Sequence, residues 1–192
     1  MERCGKRMVI RFPLSRAVKI LSADFARKAK ITAANERTVD IGNIGMWDMS
    51  SVIHINSMFQ NAGFQSSTFY IGDLSNWDVS SVTSMYCLFA NAGYNASSFD
   101  VGDLSDWDVS NVTNMGAMFS LSGYMSTSFN IGDISSWDTS NVTDMGSMFL
   151  RTGYKAKNWL LDLSGWNVSN VTSYGDFNVA VTSKVIAPTW VN

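Results

Sequence analysis

Four aspartates, Asp48, Asp78, Asp108 and Asp138, stand 30 residues apart, each directly after a tryptophan and two residues before a serine. Carboxylates repeated at a fixed interval can do three things: hold a cation, attract a basic partner, or accept backbone N–H groups in turns. Stacked at the strand spacing of about 4.8 Å they repel one another unless something neutralises them. The backbone N–H and the hydroxyl of Ser50, Ser80, Ser110 and Ser140 are placed to do so through an Asx-type bond. The main expectation is a structural ladder of outward carboxylates. The alternative is a face that binds cations or a basic partner, and any repeated binding surface begins at these four residues. A second column, Asn43, Asp73, Asp103, Asp133 and Asp162, is expected to serve turns, and Asn111, Asn141 and Asn170 to bond carbonyls between coils.

Other reactive residue types point away from catalysis. His54 is the single histidine, has no evident Ser or Cys partner, and reads as a surface residue. Cys4 and Cys87 form neither a disulfide framework nor a metal-ligand spacing, and Cys87 reads as packing. No phosphate loop, dinucleotide fingerprint or metalloprotease helix occurs. No cofactor and no metal are expected. Met115, Met118, Met145 and Met148 fall at core spacing, as filler. Tyr94, Tyr124 and Tyr154 form a column that a carbohydrate-binding module would present to a sugar.

These side chains are carried by a repeat. Trp47, Trp77, Trp107 and Trp137 are 30 residues apart and Trp166 follows after 29, a period that marks stacked units each burying its apolar face on its neighbours. Around each tryptophan runs L-x-x-W-x-V-x-x-V, as in Leu104, Trp107, Val109 and Val112. Trp and Val then alternate inward along a short strand while the Asp between them points out. Downstream, Val112, Met115, Met118 and Phe119 lie at i, i+3, i+6 and i+7, which predicts one or two helical turns on the core, stopped at Gly123. A return segment runs from Tyr124 to Phe129 before the next strand. The expected fold is an α/β repeat solenoid, leucine-rich-repeat-like, with short parallel strands, short helical turns, about five coils and a helical N-terminal cap.

Both ends depart from the period. Residues 1–40 are expected to form a basic strand–helix cap or anchor, 41–178 the repeats, and 179–192 a C-terminal cap. On the helix predicted between Leu14 and Lys30, Leu14, Val18, Leu21 and Phe25 form an apolar stripe beside Arg16 and Lys19, suited to covering the first repeat or docking on a partner. Residues 1–40 hold ten of the fourteen Lys and Arg against four acids, net +6, and the rest of the chain carries −8. A basic arm on an acidic body follows. The hydrophobic content of 46% and the aromatic content of 12% argue for a packed, folded chain. No apolar run is long enough for a transmembrane span, and no secretory signal is evident.

The segments Asp73–Phe89, Asp103–Phe119 and Asp133–Phe149 each read close to D-x-S-x-W-D-x-S-x-V-x-x-M-x-x-M-F, with worn copies at Asn43–Phe59 and Asp162–Phe177. This sequence resembles the repeat of the BspA-like leucine-rich-repeat surface proteins. The resemblance implies bacterial cell surfaces, adhesion and partner binding, extends to phages and microbial eukaryotes, and brings no shared catalytic site. The unit here is longer than that family's, with the extra residues in the return segment. The expected function is therefore non-catalytic: protein–protein or surface attachment, with a cell-surface ligand or a larger assembly as partner and no nucleic acid. The rivals are a structural or decorating subunit of an assembly such as a phage virion, and the sugar-binding module. The surface of a bacterial cell or of a virion is the expected location.

Overall fold

A computed structural model describes residues 44–191. The strand and helix expected within residues 1–40, with Leu14, Arg16, Val18, Lys19, Leu21 and Phe25, lie outside the described residues, as does Asn43. The described chain is a repeat solenoid built almost entirely from turns and very short parallel strands. A single 3-10 turn, Ile44–Met46, opens it. β1 (Ser98–Asp100) pairs in parallel with β2 (Ser128–Asn130), and β3 (Leu161–Asp162) with β4 (Val185–Ile186). A further parallel ladder of single bridges joins His54, Ser84, Asn114, Asp144 and Ser173, one residue per coil.

The core is one continuous set of stacks along the axis. Five indoles, from Trp47 through Trp77, Trp107 and Trp137 to Trp166, stack at 6.1–6.3 Å between centroids. Phe59, Phe89, Phe119 and Phe149 form a second column at 5.4–5.6 Å. Phe69, Phe99 and Phe129 form a third at 5.0–5.2 Å, ended by a tilted Trp159. Between them lie buried Val112, Met115, Met118 and their counterparts. Each aromatic pair adds about 0.5–1.5 kcal/mol to its area burial, so identical coils in register stabilise each neighbour in turn. Buried polar groups bind across coils as well. Ser122 Oγ donates to Phe89 O and Thr152 Oγ1 to Phe119 O, both at 2.6 Å.

Two local expectations need correction. The Trp-Asp-Val segment has the expected alternation, Trp77 and Val79 buried and Asp78 exposed, but it forms no ladder. Its flanking N–H groups are spent locally: Trp77 on Leu74 O, Val82 on Val79 O, and Ser75 and Ser80 on aspartate carboxylates. The ladder forms instead seven residues after the tryptophan, at Ser84 and its equivalents.

The segment from Val112 to Phe119 is not helical either. Ala117 and Leu121 sit at φ of 53° and 58°, a left-handed conformation that no α-helix admits. Alternate N–H groups leave the coil: Met115, Ala117, Phe119 and Leu121 donate to carbonyls of Asp144, Gly146, Met148 and Leu150. Those between them, Met118, Ser120 and Ser122, bond three residues back. The i, i+3, i+6, i+7 positions are buried as expected, but by linked turns.

Candidate binding face

The four aspartates singled out by spacing form a column on the outside of the coils, all exposed. In Asp48, Asp78 and Asp108, Oδ1 accepts both the backbone N–H of the serine two residues on, at 3.0–3.1 Å, and its hydroxyl, at 2.6 Å. Asp138 accepts Ser140 N–H at 3.0 Å. The second carboxylate oxygen of Asp78 and of Asp108 meets no donor among the described residues. The column thus has a turn-forming half and an outward anionic half.

The serine hydroxyl, and then its N–H, hold the carboxyls of Asp48, Asp78 and Asp138 below the ordinary 3.8. Repulsion from Asp48 raises Asp78, but less than the hydrogen bonds lower it. In the parallel column, the N–H of Ser75, Ser135 and Ser164 is the larger influence lowering Asp73, Asp133 and Asp162. Carboxylates lowered on folding contribute stability that is fully present above 3.8 and is lost as pH falls through the lower folded values. The melting temperature is therefore expected to stay level from about pH 7 to pH 5 and to fall below about pH 4. A scan by circular dichroism checks this. Asp78→Asn, which keeps an acceptor for Ser80, should flatten the acid limb slightly.

Charge around this face is one-sided. Between residues 44 and 150 there are ten aspartates and no lysine or arginine. Arg151, Lys155, Lys157 and Lys184 follow in the last coils, with Lys155 and Lys184 Nζ 5.6 and 5.9 Å from the Tyr154 ring centroid.

Beside the acidic column run the ladders that hold its backbone. Asn111, Asn141 and Asn170 donate through Nδ2 to carbonyls of Ser80, Ser110 and Ser140 at 2.6–2.8 Å, the inter-coil role expected of them. Thr83, Thr113, Thr143 and Thr172 donate to the carbonyl one coil earlier at 3.0–3.3 Å. The threonine ladder was not singled out from the sequence, although its period is the same as that of the tryptophans.

The remaining candidates sit elsewhere. Phe64, Tyr94, Tyr124 and Tyr154 stack at 4.8–5.1 Å, ring on ring, so their faces are turned to one another. His54 is exposed at the first bridge, with Nδ1 3.3 Å from Thr83 Oγ1. Cys87 is buried, and burial pushes its thiol pKa up. No group of His, Cys, Asp and Glu among the described residues could hold a metal ion. No described helix is long and apolar enough to cross a membrane.

A solenoid of near-identical coils with a periodic acidic face defines a repeat protein. The chain belongs to the family described as "Mycoplasma protein of unknown function, DUF285", which matches residues 28–123 and 64–185. No curated protein and no solved structure matches it.

Proposed function

We propose that this chain is a non-catalytic attachment protein, a BspA-like solenoid of the leucine-rich-repeat type, that takes a basic protein partner on its aspartate columns. The observation that carries the reading is the outward row from Asp48 to Asp138 in a stretch of 107 residues without one lysine or arginine. A row of exposed carboxylates raises the on-rate and specificity for a cationic surface. The L-x-x-W-x-V-x-x-V pattern and the parallel bridges support the leucine-rich-repeat assignment, and the long D-x-S-x-W-D motif supports the BspA-like one. Bacterial cell-surface adhesion is the setting in which such a face has most use.

A second reading, a decorating subunit of a larger assembly such as a virion, is favoured by the net +6 of residues 1–40, a natural anchor on an acidic assembly. Stacking of the tyrosine rings on one another leaves edges rather than faces, which argues against a sugar platform.

The test is charge reversal. Asp78→Lys with Asp108→Lys is expected to weaken binding of a synthetic oligo-arginine peptide by at least about tenfold at low salt, with the fold intact. Unchanged affinity by calorimetry overturns the acidic-face reading. Removing residues 1–30 separates the two settings: an anchored subunit loses its assembly, whereas peptide binding on the face persists.

A further inference from the structure

One chain carries opposite charge on its first thirty residues and on its first four coils. Residues 1–30 hold nine Lys and Arg against two acids, a net +7, and from Arg3 to Lys19 there are six cations and no acid. Residues 44–150 hold ten aspartates and no lysine or arginine. Asp73, Asp103 and Asp133 are exposed, as are the four aspartates that follow the tryptophans, so both columns face outward. Arg151, Lys155, Lys157 and Lys184 all come after residue 150. The coils next to the basic segment therefore carry no compensating cation of their own.

Distance favours a contact within one chain. Residues 31–43 join Lys30 to Ile44, and thirteen residues span at most about 45 Å. At a coil step of about 4.8 Å, the column from Asp48 to Asp138 is only about 15 Å long. A segment on so short a tether meets the face at an effective concentration of about 1 mM. A contact as weak as about 0.5 mM would then cover the face most of the time and weaken a competitor about threefold. Four of the six cations from Arg3 to Lys19 are arginines. Their weakly hydrated guanidinium groups suit carboxylate pairs at an interface better than ammonium groups do.

On the reading of the aspartate columns as a binding surface, we propose that their first ligand is the chain's own residues 1–30, which a basic partner must displace. The contact is lateral, along the outward carboxylates, and leaves the end of the solenoid alone. Affinity for a partner is then a difference between two ionic contacts. The face favours partners more basic than its own segment and rejects weaker ones. Displacement also frees a +7 segment, so that engaging a basic partner releases a cationic arm for an acidic surface.

The experiment uses the full chain and a variant combining Arg3→Gln, Lys6→Gln, Arg7→Gln, Arg11→Gln, Arg16→Gln and Lys19→Gln, with near-UV circular dichroism as the check on folding. A synthetic oligo-arginine peptide, titrated by calorimetry at low salt, is expected to bind the variant at least about threefold more tightly than the wild type. The gap should shrink as salt is raised. Asp78→Lys with Asp108→Lys should weaken peptide binding by a larger factor in the glutamine variant, because in the wild type the same change also loosens the competing segment. In the wild type, a carbodiimide, which joins an amine to a carboxylate it touches, should give amides from Lys6 or Lys19 to column aspartates within monomers. Equal peptide affinity in wild type and folded variant overturns the proposal, and leaves the acidic face standing if charge reversal still weakens both. Absence of those amides overturns it whether or not the variant folds. Amides found only between chains give the segment to a neighbouring copy and overturn the contact within one chain. A peptide that binds neither protein overturns the acidic face and the proposal together.

Discussion

Trp107→Ala is expected to cost at least about 4 kcal/mol, near or above the top of the range for truncating a buried aromatic. Three losses combine at this position. The indole is 3% exposed, so its removal opens a cavity in the middle of the column. Its faces pack on Trp77 at 6.2 Å and Trp137 at 6.3 Å, nearly parallel to both, so two stacking contacts vanish at once. Its Nε1 donates to Leu74 O at 2.9 Å, and that carbonyl loses a partner. Trp107→Phe keeps much of the area and loses the donor, and should cost about half as much. Because each coil touches only its neighbours, weakening a central one uncouples the two ends. Denaturant unfolding should then broaden, with a smaller m-value, or split into two steps. A loss below about 1 kcal/mol with one sharp transition would mean that the indole column is not what binds coil to coil.

The tryptophan column was legible because its information is local and repeated. Trp107 and Val109 are two apart, and the Asp108 between them carries its own serine partner two residues on, so inward and outward faces follow from short-range pattern alone. The segment from Val112 to Phe119 shows where pattern stops. Burial at every third or fourth residue is shared by an α-helix and by a chain of turns. What separates them is φ at Ala117 and Leu121, residues with no preference for the left-handed region. Only Asn61 and Asn91, in the same column as Leu121, hinted at it. The Ala117 N–H donates to Gly146 O in the next coil, and a partner 29 residues away leaves no short-range trace. Lys184 was hidden for the same reason. Its acceptors, Gly153 O and Tyr154 O, lie about one coil back, and as a lone lysine outside the period it has no column to reveal it. The acidic face was legible as a row of side chains.

Gly123→Ala is expected to destabilise by about 3 kcal/mol, a large effect for a single methyl, because two costs fall on the same atom. Gly123 is at φ of +54°, which costs any residue with a Cβ about 1–2 kcal/mol. The added carbon would also lie 2.7 Å from Phe99 Cβ and 3.0 Å from Phe129 Cδ2. The first of these is the root of its side chain and cannot swing away without moving backbone. Both phenylalanines belong to the Phe69–Phe99–Phe129 column, so a shift at one ring is passed to its neighbours through 5.0–5.2 Å contacts. Gly165→Ala is the matched control. Nothing lies within 4 Å of its Cβ position and its φ is not in the left-handed range. There, alanine should leave stability unchanged or raise it by up to about 1 kcal/mol, by narrowing the unfolded ensemble. Equilibrium denaturation of the two variants decides the matter. If Gly123→Ala and Gly165→Ala behave alike, the tight return beneath the phenylalanine column does not limit how closely the coils stack. If they diverge as expected, the spacing of the repeat is set from inside, by the room a glycine leaves for a ring, and the outward aspartates follow that spacing.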